Sequence, residues 1–316
     1  MPANPMTDHY SPADSFRGQR VLVTGAGGFI GRELCRQLMA MGAEVHGTQR
    51  ERSCLEGVTP YALDLRHEGD WRRCFADASP HVVFHLASPI DLSRDPATHR
   101  RLRAGILDVT QSVARSCADH DTRLVSVGTC ESYGDHLAPF SETLEPRPVS
   151  PYSALKAAAS QWVLALVAQE GLRATVARPF LTYGPGQPEG RLVPSAVACA
   201  IAGRPLEMTD GRQTREFNFV ADVARGLCAA ATDVAVGRIV NIGGGPELAV
   251  GDLARQVFSM VGADPNLVRT GVHARRSGEV DRFVGEHSLA RTLLGHTPRV
   301  SLQTGLQATI DAARAM

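Results

Sequence analysis

Lysine is almost absent from this sequence. Of its 33 basic residues only Lys156 is lysine, and arginine fills every other cationic position. Arginine does not replace a lysine that must hold a compact, tunable charge beside a hydroxyl, so this lone residue is a candidate for chemistry rather than a solvated charge. The formal net charge is +0, which offers a polyanion no footprint and leaves nucleic acid out of the expected partners. No apolar run approaches spanning length, so no membrane association is expected. The first 18 residues are polar and Pro-rich, without the apolar segment of a secretory leader, and read as a flexible tail. Seven cysteines (35, 54, 74, 117, 130, 199 and 228) are scattered with no C-x-x-C pair. That spacing suits free thiols in a reducing cytoplasm, the expected compartment, better than disulfides or zinc. The 11 histidines form no ligand-spaced cluster, and no metal is expected. His81 and His85 bracket "VVF" and read as the ends of a buried strand.

The remaining pattern is regular. "RVLVTG", "AEVHGT", "PYALDL", "HVVFHLA", "RLVSVGT" and "RATVARPF" predict strands. Between them "FIGRELCRQLMAMG", "EGDWRRCFADA", "RLRAGILDVTQSVARSCADH" and "SPYSALKAAASQWVLALVAQEG" predict helices. Strands that are apolar throughout and alternate with helices imply a parallel sheet covered on both faces, the doubly wound α/β (Rossmann) class. After residue 180 the texture turns to Pro/Gly loops and shorter segments. The expected organisation is a tail over 1–18, a dinucleotide-binding domain over 19–180 and a smaller substrate lobe over 181–316. Some strands of that lobe are expected to return to the main sheet.

Three motifs carry chemistry. In "VTGAGGFIG", Gly25, Gly28 and Gly31 fall between the first strand and first helix, where glycines let a pyrophosphate approach the helix N-terminus. At the end of the second strand an NAD-preferring site carries an acid for the ribose 2′-hydroxyl; here Gln49 takes that place and Arg50 and Arg52 follow. Arginines suit a 2′-phosphate, so NADP(H) is the expected cofactor, with NAD(H) the alternative. Asp64 in "LDL" is expected at the adenine edge. In "PYSALK", Tyr152 and Lys156 lie four apart and share a helix face. An ammonium beside a phenol favours the phenolate, which can exchange a proton with a sugar hydroxyl while hydride moves to or from nicotinamide. Thr129, at the end of the neighbouring strand, is placed to bond the same substrate oxygen.

With these residues in view, the chain resembles the extended short-chain dehydrogenase/reductases of the nucleotide-sugar epimerase, dehydratase and reductase group. The resemblance covers roughly residues 19 to 312 and rests on "TGAGGFIG", "LDL", "HLAS", "GTCESYG", "PYSALK", "RPFLTYGPGQ", "TREFNFVADV" and "RRSGEVDRF". It implies a Thr129–Tyr152–Lys156 triad and a cofactor bed that adds Phe29, Ile30, Leu65, Leu86, Ala87 and Pro179. It also implies a nucleoside-diphosphate-sugar substrate. Ser88, Cys130 and Leu181 would contact that substrate, Leu192, Val193 and Leu206 would line its base, and Arg215 and Arg276 would grip its pyrophosphate. A homodimer built on "LRAGILDVTQSVARSC" and "SPYSALKAAASQWVLALV" is implied as well. The group usually places asparagine where Leu181 sits, and often another at Gly105.

Members of the group act at sugar C4, with four net outcomes. Glu131 is suited to a base at C5, as in the dehydratases and decarboxylases, and related 4-ketoreductases resemble the same segment. Compact length, "RPF…YGPGQ" and the basic cofactor turn together resemble the NADPH-using reductases of GDP- or dTDP-4-keto-6-deoxyhexoses, so net 4-ketoreduction is the expected reaction. The 4,6-dehydratase is the alternative, followed by 4-epimerase and uronic-acid decarboxylase. Cys130 stands where dehydratases resembling this chain often carry an aspartic acid. A thiol is a far weaker acid than a carboxyl group, and its expected role is to fill a small apolar gap.

Overall fold

A computed structural model describes residues 16–50, 55–90, 95–275 and 279–315. Its first half alternates strands and helices: β1 (Arg20–Thr24), α1 (Phe29–Ala40), β2 (Glu44–Gln49), β3 (Thr59–Ala62), α2 (Glu68–Ala78), β4 (Val82–His85), α3 (Pro96–Arg103), α4 (Val109–Asp119), β5 (Arg123–Val127), α5 (Pro151–Glu170) and β6 (Ala174–Pro179). The second half holds β7 (Thr182–Tyr183), α6 (Leu192–Ile201), β8 (Leu206–Glu207), β9 (Thr214–Glu216), β10 (Asn218–Phe219), α7 (Val220–Ala229), β11 (Ile239–Ile242), β12 (Glu247–Ala249), α8 (Val250–Val261), β13 (Val268–Arg269), β14 (Arg282–Phe283), α9 (Ser288–Leu294) and α10 (Leu302–Arg314).

Seven strands form one sheet in the order β11-β6-β5-β4-β1-β2-β3, and every neighbouring pair is parallel. This is the doubly wound Rossmann arrangement, extended by β11. Alternation along β1 shows why both faces must be covered. Val21 and Val23 pack with Leu34 and Leu38 of α1 and Val223 and Leu227 of α7, while Leu22 packs with Trp71 of α2, Val113 of α4 and Val163 of α5. A third apolar cluster joins Val193 and Val197 of α6 to Leu253 and Val257 of α8 and Leu306 and Ile310 of α10.

Two boundaries differ from expectation. Residues 1–15 of the expected tail lie outside the described residues, but Phe16 is buried against Phe84, so the packed chain begins before residue 19. The helix expected over 101–120 starts earlier, at Pro96, and is interrupted by a π-helical turn at Ala104–Asp108. Within that turn a side chain at Gly105 would meet Pro89 at 2.8 Å, so the glycine lets the loop after β4 press directly on the helix. Among the described residues no helix is long and apolar enough to cross a membrane.

Candidate active site

The C-terminal ends of β1, β4 and β5 lie side by side, and in a doubly wound sheet this edge is where ligands bind. At β1 the chain turns through Gly25 (φ +72) into α1, whose N-cap Gly28 supplies no side-chain cap. The first N–H groups of α1 are therefore left for a ligand. A β-carbon at Gly31 would stand 2.2 Å from the Gly25 carbonyl oxygen, so only glycine lets the turn close on the helix. Gly25 has no room either: its added carbon would sit 3.1 Å from the Ala87 backbone. A narrow, anion-seeking cradle with its backbone laid bare fits a dinucleotide pyrophosphate.

A buried histidine joins this turn to β4. The Thr110 hydroxyl donates to the Ile106 carbonyl (2.6 Å), so it accepts from His85 Nε2 (3.2 Å). His85 Nδ1 then accepts from the Thr24 hydroxyl (2.8 Å), whose oxygen accepts from the Ala87 N–H (3.1 Å). Burial, followed by the nearby Lys156 charge, pushes the His85 pKa down to about 3. His85 is thus a fixed, neutral brace between the β1 turn and the loop carrying Leu86, Ala87 and Ser88. Its role was hidden in sequence, where it reads only as a strand end.

After β5 the stretch "CESY" forms a single 3-10 turn, Cys130–Tyr133, capped by Thr129, whose side chain accepts from the Glu131 N–H at 3.3 Å. Opposite stands the start of α5. Ser150 and Ser153 form a reciprocal capping box (both bonds 3.1 Å) with Pro151 in the first turn, a pairing that typically contributes about 1 kcal/mol. This rigid start fixes Tyr152 and Lys156, both buried, against the end of β5. The Lys156 ammonium donates to the Val127 carbonyl, and burial lowers its pKa from 10.5 to about 8.

The Tyr152 phenol behaves otherwise than the spacing suggests. Burial and then the Glu131 charge push its pKa up, while a hydrogen bond with Thr129 and the charge of Arg191 draw it down. Lys156 is turned toward Val127, so in the free chain Tyr152 is a neutral phenol. Glu131 and Thr129 are both beside it, which gathers a proton carrier, a positioning hydroxyl and a carboxylate at one place.

Cys130 is buried, and its thiol is pushed well above its ordinary pKa by burial and by Glu131 and Glu216. It lies with Tyr133, Phe140 and Phe180 in a small apolar cluster. Arg215, on β9, is near enough to Cys130 for their charges to interact and stands over the Phe283 ring. Leu181, Leu192 and Leu206 are half-buried against the third apolar cluster, and Val193 is inside it.

The cofactor-side residues are spread along the same edge. Gln49 is half-buried and Arg50 exposed at the end of β2. Phe29 and Ile30 start α1, and Pro179 ends β6. Leu65 packs on the cluster beneath α2, and Leu86 on that beneath α1. Asp64 is gripped by the Arg66 side chain and backbone, which holds its carboxyl down to about 2. Arg52 and Arg276 lie outside the described residues.

A Gly-turn cradle on a doubly wound sheet, with Thr, Tyr and Lys at the end of β5 and start of α5, defines a dinucleotide-dependent enzyme acting on an alcohol or carbonyl. The family model described as "NAD dependent epimerase/dehydratase family" matches residues 21–243, and the chain belongs to that family. A dTDP-glucose 4,6-dehydratase of Mycolicibacterium smegmatis is 31% identical over 322 residues, covering 94% of this chain and 93% of that protein. The solved structure of a dTDP-glucose 4,6-dehydratase from Streptomyces venezuelae, with NAD bound, superposes with a TM-score of 0.85 at 28% identity, covering 94% of this chain and 97% of the other. MoeE5 in complex with UDP-glucose and NAD gives a TM-score of 0.82 at 29% identity, covering 93% and 98%.

Proposed function

We propose that this protein oxidises a nucleoside-diphosphate hexose at C4 and eliminates water across C5 and C6, as a 4,6-dehydratase. The observation that carries this reading is the place of Glu131 on the turn capped by Thr129, the hydroxyl that bonds Tyr152, close enough for its charge to act on the phenol. A proton carrier at the C4 oxygen and a carboxylate within reach of the next carbon are what β-elimination requires, since the C5 proton becomes acidic once C4 is a carbonyl. The net 4-ketoreduction expected from sequence has less support, because the similar relatives described above include dTDP-glucose 4,6-dehydratases.

In this reading the glycine turn, the open N-terminus of α1, Tyr152 and Lys156 hold NAD. Bound NAD supplies the hydride acceptor at C4, the hydride donor that later reduces C6, and a positively charged ring that favours the phenolate. Tyr152 takes the C4 hydroxyl proton, and Thr129 holds that oxygen. Glu131 takes the proton from C5 as hydroxide leaves C6 and takes up a proton from solvent to form water, and Glu131 returns its proton to C5 when C6 is reduced. Arg215 and Arg276 hold the diphosphate, Leu181 meets the sugar or a phosphate, and Leu192 and Leu206 face the base, whereas Val193, expected there too, is buried in the core behind them. The expected preference for NADP(H) rests on Gln49, Arg50 and Arg52, while the bound cofactor of the similar structures is NAD.

A second reading, 4-epimerisation, is favoured by Cys130. A buried thiol with a raised pKa is a poor proton donor to a departing C6 hydroxyl, and epimerisation needs no such donor. The test supplies dTDP-glucose and UDP-glucose separately with NAD and follows products by mass and NMR. Loss of water with a 4-keto group supports the dehydratase. An unchanged mass with inverted C4 supports the epimerase, and no conversion of either substrate sinks both readings.

A further inference from the structure

Arg215 already has a counter-ion. Its side chain is only 14% exposed and that of Glu279 20%, and an Arg215 terminal nitrogen lies 3.6 Å from Glu279 Oε1. That separation is ionic rather than hydrogen-bonded. The other terminal nitrogen donates to the Thr214 carbonyl (2.8 Å) and the Asp281 carbonyl (3.3 Å), which fixes the guanidinium in place. Glu279 is held separately, accepting from Gln213 Nε2 at 3.1 Å. Gln213 is itself buried and anchored through Thr209 (3.0 Å). The neighbouring Arg275 is occupied by Asp210 and Asp281 and does not compete for Glu279.

We infer that Glu279 is a built-in stand-in for the substrate's diphosphate: its carboxylate neutralises Arg215 before substrate arrives and opposes an incoming anion. This inference rests on the reading of Arg215 as a diphosphate-binding residue. Neither partner depends on the other for its position, since backbone carbonyls hold Arg215 and Gln213 holds Glu279. The pair therefore acts through charge alone. Removing the carboxylate leaves the guanidinium in place with its full field directed at the ligand. The carboxylate spares the protein a buried, uncompensated cation before substrate binds and weakens retention of the diphosphate after reaction.

The test is calorimetric titration of the full chain, with NAD present, by thymidine diphosphate and by uridine diphosphate. Glu279→Gln keeps the bond from Gln213 and loses only the charge. It should bind the diphosphate about three- to tenfold more tightly than the parent, the range expected for a half-buried ion pair. Glu279→Ala should shift affinity the same way and serves if the first variant folds poorly. In an Arg215→Met background the gain should vanish. Equal or weaker binding by both Glu279 variants would overturn the inference, as would a gain that persists without Arg215. If the parent binds neither diphosphate, the diphosphate role of Arg215 falls and this inference falls with it.

Discussion

Replacing Lys156 with methionine should abolish turnover and yet stabilise the protein at neutral pH. The ammonium is buried, 6% exposed, and its pKa falls from 10.5 to about 8 because burial disfavours the charged form. A drop of that size means that charging Lys156 in the native state costs ~3 kcal/mol more than in the unfolded chain. The unfolded state holds the proton more tightly, so native stability rises as pH climbs from about 8 toward 10.5 and is lost as pH falls through that window. Methionine removes the charge and keeps most of the volume, but it leaves the Val127 carbonyl without its donor. That loss costs about 1–3 kcal/mol. The difference favours Lys156→Met by up to about 2 kcal/mol near neutrality. Urea unfolding of parent and variant near pH 7 and again near pH 9.5 measures it. The advantage of the variant should shrink or reverse at the higher pH. A variant less stable than the parent at neutral pH, or a difference that does not change with pH, would refute the reasoning.

Gly31→Ala puts a carbon 2.2 Å from the Gly25 carbonyl oxygen, so the turn must open; NAD affinity should fall at least tenfold, and normal affinity would contradict the cradle. If Arg50 and Arg52 hold a 2′-phosphate, NADP(H) should bind more tightly than NAD(H) by about 1.5–3 kcal/mol, and calorimetry giving equal or reversed affinities removes that argument. The expected homodimer would use α4 and α5, where Trp162 is 42% exposed, and Trp162→Glu should convert a dimer to a monomer by light scattering; a parent that is already monomeric ends the proposal.

The parts of this protein that were legible in its sequence are those encoded by local rules. Alternating apolar strands and helices gave the sheet, because each strand buries both faces and must read apolar throughout. Gly25 and Gly31 were legible because no other residue tolerates the turn and the close approach. Tyr152 and Lys156 were legible because i,i+4 spacing fixes a shared face. What stayed hidden depends on contacts distant in sequence. His85 is a brace only because Thr24 and Thr110 converge on it from β1 and α4. The direction of the Tyr152 shift was also hidden, since burial and Glu131 act on it in three dimensions.

The buried charges at this edge of the sheet divide by how fully they are satisfied. Glu216 accepts from Asn218 Nδ2 (3.0 Å), the Gly244 N–H (3.2 Å), the Gly285 N–H (2.7 Å) and His287 Nε2 (2.9 Å). It ties β10 to the loop after β11 and the connection between β14 and α9, and with its acceptor sites filled it is architecture. Arg178 is fully buried on β6, and its guanidinium nitrogens have no hydrogen-bond partner among the described residues; its Cζ lies 4.7 Å from the centre of the Tyr133 ring. It is held by the ring and by packing, beneath the turn that carries Cys130 and Glu131. Lys156 differs from both. Its ammonium carries three donors, and among the described residues only the Val127 carbonyl accepts one. A buried cation with unused donors, kept as the sole lysine of the chain at a cost in stability, is not explained by folding. Its spare donors and its proximity to neutrality are explained by a ligand that arrives with acceptors of its own.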